Sequence, residues 1–347
     1  MTGSDTIEGV VNITGGIVTI ENSTGLGAAV RMSNNTVTSN LTTNASLKIS
    51  GGTVTLGGNI IRGASSGAGS ALVTLSGGTL DMGGNAVGSG SSNVTLTLQS
   101  GTLRNLGQLN DGGELTKTTA GTVTLAGTNT YTGNTKVNAG TLLVNGTTGA
   151  NSGFTVGMGI PDPDAVLGGT GTIGGNVTAD GGTLTAGVAR QLLAGTGSNV
   201  LTINGNVSAP NTSSTWLVDL TRVAGGDSTG TDVDLLRING TLDLTNLVLV
   251  IDDTNAGLDA FGDRYKFASF TAGIGGRNGT SFFTGLDQGA LVYGSVNNSP
   301  FTIDYDFDNG AFYLISAVPE PEVWLPAALM LLLGIGKSLL RRRRRRA

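Results

Sequence analysis

The segment from Gly121 to Gly146 reads GTVTLAGTNTYTGNTKVNAGTLLVNG. Apolar and polar residues alternate in it, because a threonine separates Val123 from Leu125 and threonine also precedes Leu142. Alternation with a period of two is typical of a β-strand that buries one face. Glycine and asparagine between the alternating runs are typical of tight turns. The segment therefore predicts short strands connected by turns.

The same pattern recurs at a near-regular spacing along the chain. Gly-Thr pairs begin alternating runs at Gly52, Gly78, Gly101, Gly121 and Gly140, with intervals of 26, 23, 20 and 19 residues. Such intervals are typical of solenoid coils, which bury their apolar side by stacking on one another. We predict an all-β protein, a right-handed parallel β-helix (β-solenoid), with threonine and asparagine ladders outside and glycines of positive φ at the corners. A β-sandwich or barrel, which also has short strands, is the alternative.

Composition excludes several classes of function. The chain has 347 residues, of which 59 are glycine, and it has neither cysteine nor histidine. Disulfides, thiol nucleophiles, Ser-His pairs and imidazole metal ligands are therefore excluded. Up to Ala317 there are 22 acidic and 12 basic residues, and this balance argues against nucleic acid as a partner. We predict no cofactor, no metal site and no catalytic residues.

One motif is more specific than the general alternation. It comprises Asn129, Thr130, Tyr131, Thr132, Gly133 and Gly140. On these residues the segment Gly121 to Gly146 resembles the passenger-associated repeat, also called the autotransporter-associated β-strand repeat. The resemblance implies a β-helical region that is secreted and displayed at the cell surface.

The C-terminal tail has three parts in a fixed order. Pro319, Glu320 and Pro321 come first. An apolar stretch from Val323 to Leu340 follows, which as a helix would span about 27 Å and would just cross a bilayer core. Its anchor residues are Val323, Trp324, Leu325, Leu329, Leu331, Leu332, Leu333 and Ile335. The basic end comprises Arg341, Arg342, Arg343, Arg344, Arg345 and Arg346, which predicts a cytoplasmic C-terminus and an external body.

This arrangement resembles the PEP-CTERM sorting signal. The resemblance implies processing by an exosortase-type enzyme in a bacterium that makes exopolysaccharide. A plain C-terminal membrane anchor is the alternative. Because Met1 to Ile20 lacks a basic region followed by a long apolar run, we expect a truncated reading frame or a misassigned start.

The chain divides into five predicted parts. Residues 1–118 form degenerate solenoid coils, 119–148 the recognised repeat and 149–214 further coils. Residues 215–317, with longer strands and an Asn309-Gly310 hairpin turn, form a β-rich region that closes the stack. Residues 318–347 form the sorting signal.

Three patterns suggest chemistry, and each has a simpler interpretation. Gly169 to Gly174 matches G-x-G-x-x-G, but no helix pattern follows, which indicates a solenoid corner. Asp304, Asp306 and Asp308 resemble a calcium-binding loop. The alternation of the same segment predicts a strand whose aspartates face outward. A weak surface calcium site remains an alternative for these residues. The remaining carboxylate pairs are Asp252 with Asp253, Asp232 with Asp234, and Asp162 with Asp164.

The preferred function is that of a structural or adhesin-like surface protein, not an enzyme, with exopolysaccharide or other surface glycans as partners. The first alternative is a β-helical polysaccharide lyase or glycosidase that acts on acidic exopolysaccharide through the paired carboxylates. The second is a carbohydrate-binding module with an exposed aromatic platform, for which Trp216 and Tyr131 are the candidates, although the place of Tyr131 in the repeat motif favours a structural role.

Overall fold

The computed structural model describes residues 6–21, 28–32, 42–63, 69–89, 93–159, 164–188, 200–210, 214–221, 228–229, 233–255, 264–271, 274–275, 283–307 and 309–317. Within these ranges the regular structure consists of 33 strands and no helix. The all-β prediction is confirmed, and the strands form the parallel ladders expected of a β-solenoid.

Each coil of the chain contributes a strand to three parallel ladders in turn. The first ladder contains β1 (Thr6–Ile13), β4 (Thr42–Ile49), the first part of β7 (Ala71–Asp81), the first part of β9 (Thr95–Arg104), β11 (Leu115–Lys117), β14 (Thr135–Val137), β17 (Phe154–Val156), β20 (Val177–Ala179), β23 (Val207–Ser208), β27 (Leu242–Asp243) and β30 (Ile274–Gly275). The second ladder contains β2 (Ile17–Ile20), β5 (Thr53–Leu56), the second parts of β7 and β9, β12 (Thr122–Ala126), β15 (Gly140–Val144), β18 (Ala165–Gly168), β21 (Thr183–Leu184), β24 (Ser214–Thr221) and β28 (Leu247–Asn255).

The third ladder is built in two sections. The first section contains β3 (Ala28–Met32), β6 (Asn59–Arg62), β8 (Ala86–Val87) and β10 (Gln108–Leu109). The second section contains β13 (Thr128–Asn129), β16 (Thr147–Thr148), β19 (Thr172–Ile173), β22 (Val200–Ile203), β26 (Leu235–Ile238) and β29 (Arg264–Phe270), with β25 (Ser228–Thr229) also on β29. The described strands thus make ten successive coils, and β30 begins an eleventh.

The core is the space between the three ladders. Inward side chains stack in register from coil to coil, so that every layer buries the apolar side of its neighbours. In the second ladder one such inward column is completely buried: Val54, Leu80, Leu103, Leu125 and Val144. Burial of each such side chain contributes about 1.5–3 kcal/mol. The alternation noted in the sequence therefore predicted the inward face of this ladder.

The corner glycines agree with the predicted repeat except at one position. Gly52, Gly78 and Gly101 have positive φ, and a Cβ on Gly78 would lie 2.5 Å from the carbonyl oxygen of Gly52. Gly121 departs from this pattern, because Gly101 is in register with Val123. The fifth coil is therefore offset by two residues, a shift that leaves the alternation, and hence the buried face, unchanged.

An antiparallel meander follows the last parallel coil. Its strands are β31 (Leu291–Tyr293), β32 (Pro300–Asp306) and β33 (Ala311–Ser316), and β33 pairs with the outer edge of β29. The predicted hairpin is present: Asp306 is in register with Ala311, and Gly310 in the turn has a φ of 61°. The meander covers the edge that the third ladder would otherwise expose.

Candidate functional site

Asn129 of the repeat motif holds three successive coils together from a buried position. Its side-chain oxygen accepts a hydrogen bond from the backbone N–H of Leu106 in the preceding coil, at 3.0 Å. Its amide nitrogen donates to the carbonyl of Ala126 in its own coil, at 3.0 Å, and to that of Thr147 in the next, at 3.4 Å. The side chain thus satisfies the N–H of Leu106, which lies between β9 and β10 and outside any strand.

Tyr131 is also fully buried, at the corner between β13 and β14. Its hydroxyl lies 2.7 Å from the hydroxyl of Thr135. Burial raises the pKa of Tyr131, although hydrogen bonds with Thr135 and Ser152 act in the opposite direction. Ser152, in the next coil, donates to the carbonyl of Gly133 at 3.2 Å. The ring therefore fills the core while its polar end is satisfied inside the stack.

The other motif residues also contact the preceding coil. Thr130 donates through its hydroxyl to the carbonyl of Gly107, at 3.1 Å, and Thr132 accepts from the side chain of Gln108, at 3.2 Å. Gly133 and Gly140 leave no room for a side chain, because a Cβ would lie 1.9 Å and 2.2 Å from backbone oxygens of the coil below. The predicted motif residues are thus brought together as contacts between coils and not as a surface site.

Lys117 is a buried residue that the sequence reasoning missed. It is 1% exposed and occupies the inward column of the first ladder between Leu98 and Val137. Its ammonium group donates to the carbonyl of Thr119 and, at 3.2 Å, to that of Ala139 in the next coil. Desolvation lowers the pKa of Lys117. The alternation of Leu115 and Lys117 already places this lysine inward, and that is the signal that could have found it.

The carboxylates of Asp252 and Asp253 do not face each other across a cleft. Both are buried, and Asp253 binds the loop before β32: it accepts from the backbone N–H groups of Val296 and Asn297, each at 2.9 Å, and of Ser299, at 3.0 Å. Desolvation alone would raise the pKa of Asp253, but these bonds and the Ser299 hydroxyl lower it overall. Asp253 thus has a structural role in fastening the C-terminal region to β28. Asp232 and Asp162 lie outside the described residues.

The carboxylates of the possible calcium loop are engaged within the protein. Asp304 pairs with Arg264 at 2.7 Å and accepts from the side chain of Gln288, also at 2.7 Å. Asp306 accepts from the Asn309 side chain at 2.9 Å, and this bond lowers its pKa. Asp308 lies outside the described residues. Over the described part of the chain, no three acidic side chains converge as a metal site would require.

The G-x-G-x-x-G match forms a corner of the solenoid. Gly169 follows β18 directly, and β19 begins at Thr172. A Cβ on Gly171 would lie 2.1 Å from the carbonyl oxygen of Gly146 in the coil below. No helix begins after this loop within the described ranges, so the helix N-terminus that a dinucleotide pyrophosphate needs is not formed here.

The aromatic-platform prediction is wrong for both residues that it named. Trp216 is 1% exposed and packs edge-on against Phe267 and Phe283, at ring-centroid distances of 5.9 and 5.6 Å. Tyr131 is equally buried. Both rings lie inside the stack because each occupies an inward position, and neither is accessible to a sugar.

The outside of the first ladder carries a continuous polar row. Residues of successive coils occupy it in register: Thr74, Thr97, Thr116, Lys136, Thr155, Thr178 and Ser208. Neighbouring strands are about 4.8 Å apart, so the row presents one polar side chain at each such interval, a hydroxyl group in every coil except that of Lys136. We call these seven residues the hydroxyl row. The prediction of threonine ladders outside the stack is confirmed for this ladder.

All residues of the predicted sorting motif, membrane anchor and basic end lie outside the described residues. Among the residues that are described, no helix is long and apolar enough to span a membrane.

One family model matches the chain, and it covers the site just described. The passenger-associated-transport-repeat family matches residues 115–144, which include β11 to β15, Asn129 and Tyr131. The match supports the resemblance predicted from the sequence motif. No curated protein matches the chain.

Proposed function

We propose that this protein is an exported structural or adhesin-like β-solenoid of the cell surface or extracellular matrix. The observation that carries the proposal is the match to the passenger-associated-transport-repeat family over coils five and six of the stack. The matched repeat is one that passenger regions contain, and here it lies within a parallel β-solenoid. Together these two features favour a rod-like body that is displayed outside the cell. We expect the coils to be right-handed.

A role without catalysis agrees with the use that the fold makes of its polar residues. Asn129, Tyr131 and Lys117 hold coils together, and Asp253 holds a loop. A glycosidase would need two carboxyl groups about 5 to 10 Å apart in an open cleft. The buried carboxylates described above do not favour that alternative, whereas the polar outer rows suit contact with surface glycans.

The proposal includes a sorting role for the C-terminal tail. Pro319, Glu320 and Pro321 would form the recognition motif for an exosortase-type enzyme, the apolar stretch from Val323 would anchor the unprocessed chain, and the arginines would hold its end in the cytoplasm. A plain anchor is the competing role for the same residues. Cleavage distinguishes the two.

Mass spectrometry of the mature protein from its native host tests the proposal. We expect a C-terminus between Pro319 and Pro321 and a body that external protease can digest in intact cells. Replacing Pro319 and Pro321 by alanine should leave uncleaved chains in the membrane fraction, while the control Pro210→Ala should be processed normally. Wild-type chains that end at Ala347 would contradict cleavage, and chains protected inside the cell would contradict surface display.

A further inference from the structure

A second polar column runs beside the hydroxyl row and is interrupted at one coil. Asn134, Gly153, Asn176 and Asn206 occupy equivalent positions at the start of the first-ladder strands, as the bonds between successive coils show. Later in this column, each asparagine side chain bonds to the next coil. The side-chain oxygen of Asn176 accepts from the backbone N–H of Asn206, and that of Asn206 accepts from the backbone N–H of Thr241, each at 2.8 Å. Gly153 has no side chain to continue this stack.

The gap at Gly153 forms a polar depression on the surface. Its lining includes Asn134, Asn151, Gly153, Gly174, Gly175 and Asn176. We call these six residues the asparagine depression. Across the described ranges, the side-chain amides of Asn134 and Asn151 have no hydrogen-bond partner in the protein, and both residues are exposed. Each amide offers a donor and an acceptor to a ligand.

The hydroxyl row adds further free groups next to this depression. Thr155 and Thr178 lie two residues beyond Gly153 and Asn176 on the same strands, and their side chains are half-buried. Within the described residues their hydroxyls form no hydrogen bond with the protein. Depression and row together present amides and hydroxyls on adjacent coils, and no large apolar side chain lies among the lining residues. Such a surface lacks the apolar anchors on which protein partners depend.

The charge of this surface favours a neutral ligand. Lys136, the one cation of the hydroxyl row, forms an ion pair with Glu114 at 2.7 Å. The chain up to Ala317 has an excess of ten acidic residues, from 22 acidic and 12 basic ones. A polyanion would be repelled at long range, and the nearest further outward-facing cation described along this ladder, Lys48 in register with Thr74, lies five coils away from Gly153.

We infer that the asparagine depression and the adjoining hydroxyl row bind a neutral, polyhydroxylated glycan. The inference rests on the proposed surface role and specifies its partner: hydroxyl groups of a sugar ring exchange hydrogen bonds with Asn134, Asn151 and Asn176, and the chain continues along the row. The inferred ligand therefore differs from the acidic exopolysaccharide that the lyase or glycosidase alternative would require.

The substitution Gly153→Asn tests the inference because it fills the gap in the asparagine column. Gly153 does not have a positive φ, and an added Cβ would lie 3.0 Å from the side-chain oxygen of Asn134, the free end of an exposed side chain. The fold can therefore accept the substitution. The matched control is Thr55→Asn, which adds the same amide at an outward position of the second ladder.

Binding of the full chain to dextran, starch and cellulose is measured beside binding to alginate. We expect the wild type to bind at least one neutral polysaccharide and to prefer it to alginate. Gly153→Asn should weaken that binding at least tenfold, and Thr55→Asn should leave it unchanged. Asn134→Ala removes a lining amide without adding volume and should also weaken binding. It replaces Gly153→Asn as the test variant if circular dichroism shows that Gly153→Asn is not folded.

Two results would overturn the inference: a wild type that binds none of the neutral polysaccharides or only alginate, and lining variants that bind like the control. Surface display is scored separately in the native host, where Gly153→Asn should reach the surface like the wild type. Loss of display in the wild type would overturn the proposed function, whereas normal display without glycan binding would overturn only the inference.

Discussion

At the scale of single residues, Asn129 is the buried motif residue whose side chain bonds to both the preceding and the following coil. Asn129→Ala removes one acceptor and two donors and leaves the N–H of Leu106 without its partner in the interior. A buried group left unsatisfied costs about 1–3 kcal/mol. We expect the free energy of unfolding to fall by at least that amount, measured by urea unfolding with circular dichroism.

Asn134→Ala is the control for this prediction, because Asn134 lies in the same repeat but is exposed. Exposed substitutions of this kind usually change stability by no more than about 0.5 kcal/mol. Equal unfolding midpoints for the two variants would show that the hydrogen bonds of Asn129 do not hold the coils together.

The buried carboxylate of Asp253 should make the free energy of unfolding depend on pH in the acidic range. Because its folded-state pKa is lowered from the ordinary value of 3.8, its ionised form contributes stability that is complete above that value and is lost as the pH falls below it. Asp253→Asn keeps the shape but replaces one carboxylate oxygen by an amide donor, which must face either the N–H of Ser299 or the N–H groups of Val296 and Asn297. We expect the variant to be less stable at pH 7, by about 1–3 kcal/mol or more.

The difference in unfolding free energy between wild type and Asp253→Asn should shrink as the pH falls below 3.8. Urea unfolding at several pH values between neutrality and that range measures it. A difference that is independent of pH would mean that the carboxylate does not carry the attachment of the loop.

At the scale of elements, Phe312 of β33 lies in an aromatic cluster between the meander and the parallel coils, beside the backbone pairing of β33 with β29. Phe312 is fully buried and contacts Phe270, Tyr305 and Phe307, at ring-centroid distances of 5.0, 5.0 and 6.0 Å. Phe312→Ala should lower the free energy of unfolding by about 3–5 kcal/mol, since buried Phe→Ala substitutions leave a cavity. Thermal and urea unfolding measure the loss.

The neighbouring Tyr313 supplies the matched control, because its side chain faces outward and stacks under the guanidinium of Arg264 at 3.9 Å. Tyr313→Ala removes a ring of similar size but creates no cavity in the core. We therefore expect the free energy of unfolding to fall by about 1 kcal/mol or less. Similar losses for both variants would show that the aromatic cluster does not hold the meander on β29.

The elements also show which features the sequence could predict. Strands such as β5 and β12 follow from strict alternation, and the hairpin between β32 and β33 follows from Asn309-Gly310. Trp216 was misassigned because its residue type suggested a ligand platform, although alternation places it inward. The two-residue offset at Gly121 could not be predicted, since a shift by two residues leaves the pattern of buried positions intact.

At the scale of the whole molecule, stability is expected to vary along the stack. In a solenoid each coil gains its stability from its neighbours on both sides. β1 pairs within the described residues only with β4, whereas β15 pairs with β12 and with β18. The inward column that starts at Val11 shows the consequence: Val11 is 57% exposed, but the next residues in register, Leu47 and Val73, are 3% and 0% exposed.

This asymmetry predicts a gradient of hydrogen-exchange protection, measured by mass spectrometry on the full chain. When the chain is produced as these 347 residues, amides of β1 and β2 should exchange by local opening, while those of β12, β14 and β15 should require opening of several coils and exchange much more slowly. Asn129→Ala should lower protection in β12 to β15 and leave β1 unchanged, because its bonds join coils four to six. Uniform protection along the stack, or a loss at β1 in that variant, would instead indicate that the coils open as a single cooperative unit.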